Sequence, residues 1–247
     1  QKTAYEIGVR LVGSEMCIRD RSYLNIYPDD YNPAASYPLV ILLHGFGANM
    51  QDLAGLTPNI SSTGYVYSCP NAPIPFQLGP GVIGYGWHPP RAEATLEDYK
   101  QAEDKLGVYF DEVFAQFNAV PGKIVLLGFS QGGGMTYRCG LGQPEVFSGL
   151  VGLSASLPDP EDLRAKLPEK RDQKIFIAHG NADPMVSMES AQNTMKFLTA
   201  EGYQPEYHEY NMSHEIPPMV INDVVAWLEN VLPPLKETSV SHGPEVK

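Results

Sequence analysis

The chain of 247 residues is short of cations, of cysteine and of long apolar runs, and each shortage removes a class of function. Lys and Arg number 17 against 29 Asp and Glu, a formal charge of −12 that repels phosphate backbones and anionic membrane surfaces. Nucleic acid is therefore not expected as a partner. The three cysteines, Cys17, Cys69 and Cys139, have neither the paired spacing of a zinc site nor the density of a disulfide framework. No metal is implied, and a reducing or redox-indifferent compartment suits them. No apolar run approaches the ~18 to 20 residues that span a bilayer, and the N-terminus lacks the apolar stretch of a secretory signal. Stable membrane insertion is not expected, and the cytoplasm is the expected compartment. Internal repeats are also missing, and a chain of this length can bury one sizeable core.

Residues 1–21 (QKTAYEIGVRLVGSEMCIRDR) show neither helical nor strand periodicity and resemble translated adapter read-through from the end of an environmental contig. They are expected to be a foreign or disordered leader. Such a leader would also have displaced any native signal peptide, so the expected compartment rests on the rest of the chain. Residues 22–235 are expected to form one domain, and 236–247 a polar tail.

Strand and helix patterns alternate through that domain. Strands are predicted over 23–27, 39–43, 64–68, 123–127, 150–153, 174–178 and 206–210. Thr95-Leu96-Glu97-Asp98 has the form of a capping box, after which Leu96, Tyr99, Leu106, Phe110, Val113, Phe114 and Phe117 recur at helical spacing. Further helices are predicted from Gln131 through Cys139, over 187–200 and over 217–231. This alternation argues an α/β fold with a doubly wound, mostly parallel sheet. Asn71 to Pro90 is aperiodic, rich in Pro, Gly and aromatics, and long enough to call for a functional reason.

The chemistry starts at Ile124-Val125-Leu126-Leu127-Gly128-Phe129-Ser130-Gln131-Gly132, where an apolar strand runs into Gly-x-Ser-x-Gly. The bare pattern arises by chance in roughly one chain in ten of this length, so the strand before it gives it meaning. It resembles the nucleophile elbow of α/β-hydrolases, with Ser130 exposed at a strained apex and glycines where strand and helix cross too closely for Cβ atoms. A serine nucleophile needs a base, and the base needs a carboxylate to fix its tautomer. On such a sheet the chain order is Ser, then acid, then His. His44 and His88 precede Ser130, His179 precedes the best acid, His242 lies in the tail and His208 inside a predicted strand. His214, after the last strand, remains as the base. Asp183, on the turn after strand 174–178, is the favoured acid, although an Asp-Pro turn before a helix also serves as simple punctuation. The oxyanion of acyl transfer needs backbone N–H donors. Gln131, following the nucleophile, and Phe46, in the glycine-rich turn after strand 39–43, are the expected pair.

Together, LLHGFG (42–47), LLGFSQGG (126–133), HGNADPMV (179–186) and SHEI (213–216) resemble the phospholipase/carboxylesterase family of α/β-hydrolases, over roughly residues 36–232. The resemblance implies a fold with no separate cap domain, hydrolysis of carboxylic esters and in some members of thioesters or lysophospholipids, and no cofactor. It also allows a homodimer, the assembly of several members. The expected partner is a small-molecule ester, with a serine carboxylesterase for small to medium acyl groups as the leading function. A thioesterase or lysophospholipase for longer chains is the alternative within enzymes, and a non-catalytic binder on the same fold the alternative outside them. Many relatives carry an aromatic-acid pair before the long helix, where this chain reads Tyr85-Gly86-Trp87-His88-Pro89-Pro90. Phe76, Ile83, Tyr85 and Trp87 are the candidate substrate wall, with stapling of a long loop as the competing reading.

Overall fold

A computed structural model describes residues 13–18, 21–29 and 31–236. The chain opens with a hairpin of β1 (Gly13–Ile18) and β2 (Arg21–Ile26), then runs through β3 (Leu39–Leu43), α1 (Met50–Ala54), α2 (Thr57–Ile60) and β4 (Val66–Pro70). A second hairpin, β5 (Ile74–Gly79) and β6 (Val82–Gly86), precedes α3 (Leu96–Phe117). Then follow β7 (Ile124–Phe129), α4 (Gln131–Gly140), β8 (Phe147–Leu153), α5 (Pro160–Arg164), β9 (Lys174–Gly180), α6 (Met188–Ala200), β10 (Glu206–Tyr210) and α7 (Pro218–Val231).

Eight strands form one sheet in the order β1-β2-β4-β3-β7-β8-β9-β10, and β4 through β10 in that order pair in parallel. Strands β3, β4 and β9 are buried almost throughout, which is why they read as continuous apolar runs rather than alternating ones. Each face of the sheet is covered by its own apolar layer. One contains Leu39, Ile41 and Leu126 under Leu106 and Val113 of α3 and Met135 of α4; the other contains Val40, Leu42 and Val125 under Leu53 of α1 and Val224 of α7. Helix α7 buries Val220, Ile221, Val224, Trp227 and Leu228 on one side, and each such aliphatic side chain contributes about 1.5–3 kcal/mol when fully buried.

The capping box of α3 forms as the sequence predicts. Asp98 N–H donates to Thr95 Oγ1 (3.3 Å) and Thr95 N–H to Asp98 Oδ2 (2.8 Å), while Asn118 in the left-handed region ends the helix. Leu96 departs from the predicted face and is 39% exposed.

Two segments read as aperiodic contain strands. Within the leader, residues 13–18 are a strand paired antiparallel with β2, from Gly13 opposite Ile26 to Ile18 opposite Arg21. Backbone N–H and C=O groups supply that ladder whatever the side-chain pattern, and the partner is otherwise a sheet edge. Residues 1–12, 19 and 20 lie outside the described residues, as do His242 and the tail beyond Lys236. The segment 71–90 is likewise no open loop, since β5 and β6 pair antiparallel across a two-residue Pro80–Gly81 turn. Its side chains are mostly exposed, so no alternation of buried and exposed residues announced it. The Gly-Pro-Gly turn was the available signal.

Candidate active site

Ser130 lies between the last residue of β7 and the first of α4, with φ 55° and ψ −118°. A non-glycine residue there is strained, and the surroundings hold it in place. Its N–H donates to Leu153 O of β8 (2.8 Å), and its carbonyl accepts from Gly134 N–H (3.1 Å). The glycine after the next residue has the predicted steric cause. A Cβ on Gly132 would run into the carbonyl oxygens of Leu43 and His44, so β3, its following turn and the start of α4 touch backbone to backbone.

The loop after β9 carries Asp183, and the loop after β10 carries His214. Parallel pairing of those strands brings the loops together, and Asn181 N–H to Tyr210 O (2.8 Å) and Ala182 N–H to Met212 O (3.2 Å) stitch one to the other. Asp183 Oδ2 is 2.7 Å from His214 Nδ1, and His214 Nε2 is 2.9 Å from Ser130 Oγ. The carboxylate fixes the tautomer. With Nδ1–H donating to Asp183, Nε2 is left to accept the serine proton. Burial alone would raise the Asp183 carboxyl, but N–H donation from Val186 and Met185 to Oδ1, together with His214, more than offsets it and the net shift is downward. The acid is thus held ionised. The edge of the Phe129 ring region covers His214, with ring centroids 4.7 Å apart.

Phe46 N–H and Gln131 N–H make no hydrogen bond among the described residues. Gln131 opens the ten-residue α4, so its N–H also carries the positive end of that helix. Its side chain performs a task the sequence did not reveal. The amide Oε1 accepts from Trp87 N–H (2.7 Å) and Nε2 donates to His88 O (2.9 Å), clamping the segment after β6 onto the elbow.

Other histidines among the described residues have structural partners. His44 Nδ1 lies 2.7 Å from Gly45 O and its Nε2 accepts from Ala72 N–H (3.0 Å). His179 is fully buried and reaches Val186 O through Nε2 (2.8 Å), 3.7 Å from Asp183 Oδ2. It supports the acid loop, a role the order rule had no means of showing. His208 pairs with Glu206 (2.8 Å) and stacks on Phe176. Among the described residues no group of three or more His, Cys, Asp or Glu is arranged to hold a metal ion, and no helix is long and apolar enough to cross a membrane.

A cavity of about 610 Å³ opens on Ser130 and Asp183, within the range of small-molecule sites. Phe46, Tyr99, Pro158 and Met185 give it apolar walls, and His88, Arg91, Ser156 and Ser190 polar ones. None of the four wall candidates lines it. Trp87 is 1% exposed and donates from Nε1 to His44 O (2.8 Å), so it pins the loop from inside. Tyr85 is half-buried against the core, Ile83 is 55% exposed, and Phe76 stacks on Phe46 at 4.6 Å. The wall reading is therefore corrected: Trp87 finds a buried carbonyl for its N–H, and Phe76 packs on the ring of Phe46 rather than on the cavity. What 71–90 does contribute is backing for the Phe46 turn. Gly47 N–H donates to Tyr85 O and Tyr85 N–H to Ala48 O, both at 2.9 Å, and a Cβ on Gly86 would lie 2.9 Å from the Phe46 ring.

A serine at a strained strand-to-helix apex, joined through histidine to a buried carboxylate on a mostly parallel sheet with helices on both faces, defines an α/β-hydrolase. Within that class the chain belongs to the phospholipase/carboxylesterase family, whose model matches residues 32–232. It is accordingly a serine hydrolase. Similar proteins include acyl-protein thioesterase 1 of Mycosarcoma maydis, 35% identical over 225 residues that cover 78% of this chain and 91% of the relative. Acyl-protein thioesterase 1 of Aspergillus fumigatus is 30% identical over 225 residues, covering 83% and 92%. Among solved structures, esterase PE8 superposes with a TM-score of 0.74 at 26% identity, over 84% of this chain and 97% of that one.

Proposed function

We propose that the protein hydrolyses carboxylic esters of small to medium acyl groups through an acyl-enzyme on Ser130, within a catalytic domain of residues 22–235. The single observation that carries this reading is the continuous relay from Asp183 Oδ2 to His214 and on to Ser130 Oγ, at 2.7 and 2.9 Å. His214 Nε2 takes the serine proton as Oγ attacks the ester carbonyl, and Asp183 stabilises the imidazolium that forms. The carbonyl oxygen becomes an oxyanion that accepts from Phe46 N–H and Gln131 N–H. As the tetrahedral intermediate collapses, the carbonyl re-forms, the bond to the alkoxy oxygen breaks, and the imidazolium gives its proton to the departing alcohol. Water then repeats the sequence against the acyl-serine, with His214 as base, and releases the carboxylic acid.

A second reading, a thioesterase for longer acyl chains, is favoured by the names of the two fungal relatives and by the same chemistry with a thiolate leaving group. One experiment separates the two. A fluorophosphonate probe is expected to label Ser130, and Ser130→Ala to lower kcat by several orders of magnitude with the fold intact. A kcat/KM profile over p-nitrophenyl esters from acetate to palmitate, run beside acyl-thiocholine esters, should peak at short to medium oxygen esters; a maximum at long thioesters selects the second reading. Full turnover by the alanine variant removes both.

A further inference from the structure

In a chain of charge −12, one Lys or Arg side chain, Arg91, lines the active-site cavity. Arg138 ends on Glu103 and Asp162, and Arg164 on Glu161 and Glu201. Arg91 has no carboxylate in ion-pair range among the described residues. Its Nη1 donates to Ser156 Oγ across the cavity, and both residues line it. The Ser156 hydroxyl accepts that bond and makes no other hydrogen bond among the described residues, so its own proton is free to donate. The Tyr99 hydroxyl, on the same lining, likewise has no hydrogen-bond partner among them. The cavity thus presents a guanidinium with no carboxylate beside it and two hydroxyl protons with no protein acceptor among the described residues. Asp183, the only carboxylate of the lining, is committed to His214, Met185 and Val186.

We propose that Arg91, with Ser156 and Tyr99, binds a carboxylate carried by the substrate, making the preferred ester one that bears a free acid group remote from the scissile bond. The inference rests on Ser130 being the nucleophile of the same cavity. A guanidinium matches a carboxylate through two parallel N–H donors, and charge-assisted bonds of this kind are stronger than neutral ones. The charge count favours a carboxylate over a phosphate monoester, since one cation balances one negative charge and no second Lys or Arg lines the cavity. The acid group is not drawn in by the global field, which opposes it, so any preference must arise locally at this arginine.

The test compares two matched pairs on the whole protein, after subtraction of spontaneous hydrolysis. Mono-p-nitrophenyl glutarate against its methyl-capped ester places the charge on the acyl side, and 4-acetoxybenzoate against its methyl ester places it on the alcohol side. The wild type is expected to favour the free acid in one pair by about tenfold or more in kcat/KM, which also fixes the side on which the acid is read. Arg91→Gln should lower kcat/KM for the free acid far more than for its capped ester and so erase that preference. The same kcat/KM for free and capped esters in both pairs, or an Arg91→Gln loss shared equally by both members, overturns the proposal while leaving the esterase reading in place. Failure of the wild type to hydrolyse any of the four esters defeats the underlying esterase reading and the proposal with it.

Discussion

The strand-end loops that carry Asp183 and His214 and the hairpin segment 71–90 border the same Ser130 centre, yet they are held in different ways. The first pair is set by the sheet. Parallel register between β9 and β10 brings the two loops together, and backbone bonds from Asn181 to Tyr210 and from Ala182 to Met212 lock them. The second region is held by seats on its neighbours: Trp87 under the His44 carbonyl, the 87–88 backbone in the grip of the Gln131 amide, and Tyr85 paired with Gly47 and Ala48. Chemistry attached to strand ends inherits the precision of the ladder, whereas a segment attached through side chains takes its shape from whatever surface accepts it.

The sharpest way to break this contrast is to disturb the sheet-borne relay without disturbing the fold. Asp183→Asn keeps the shape of the side chain but removes the charge that orders His214, and should lower kcat by roughly 10³- to 10⁴-fold with little change in KM. An effect confined to KM would place Asp183 in substrate binding and dissolve the distinction. Next in size is Trp87→Ala. Removal of a buried indole from the seated region should cost roughly 3–5 kcal/mol in urea unfolding and lower kcat/KM by the same factor for every acyl length. A loss that grows with chain length would mean that the segment reads substrate after all.

The smallest effect probes where the two regions meet. The His44 imidazole is held neutral, because burial, and the Ala72 N–H facing its Nε2, oppose a second ring proton; its pKa is pushed down from 6.5 to about 4. Between those values the unfolded chain takes up a proton that the folded chain refuses, so this contribution to stability is complete above about pH 6.5 and is lost as the pH falls towards about 4. In His44→Gln the urea-unfolding free energy should therefore decline less steeply across that window than in the wild type. Parallel curves would show that His44 is protonated without cost.

These differences also explain how far the site could be read from residues alone. Ser130, Asp183 and His214 follow from a motif with a steric cause and from a chain order imposed by the sheet, and the geometry joins all three. Gly132 belongs to the same class, since backbone approach to Leu43 and His44 leaves no room for a side chain. For Trp87 the sequence leaves wall and staple open, because composition shows that an aromatic wants burial but not which surface receives it. The β5–β6 hairpin escaped because its exposed side chains carry no alternation, and the clamp by Gln131 escaped because an amide's partners are two backbone groups some 43 residues away. Arg91 gave no signal in sequence; its meaning comes from its place on the cavity lining.

His214 hangs from an edge strand. β10 closes one edge of the sheet with a single partner, β9, and its five residues are all at least partly exposed. Short edge strands are among the first pieces of a fold to fray. A brief release of this edge would carry His214 away from Ser130 while the buried strands stay assembled, so on warming the enzyme would stop turning over before it melts. The Tyr210–Asp223 hydrogen bond, which ties that strand to α7, then helps to keep His214 over Ser130.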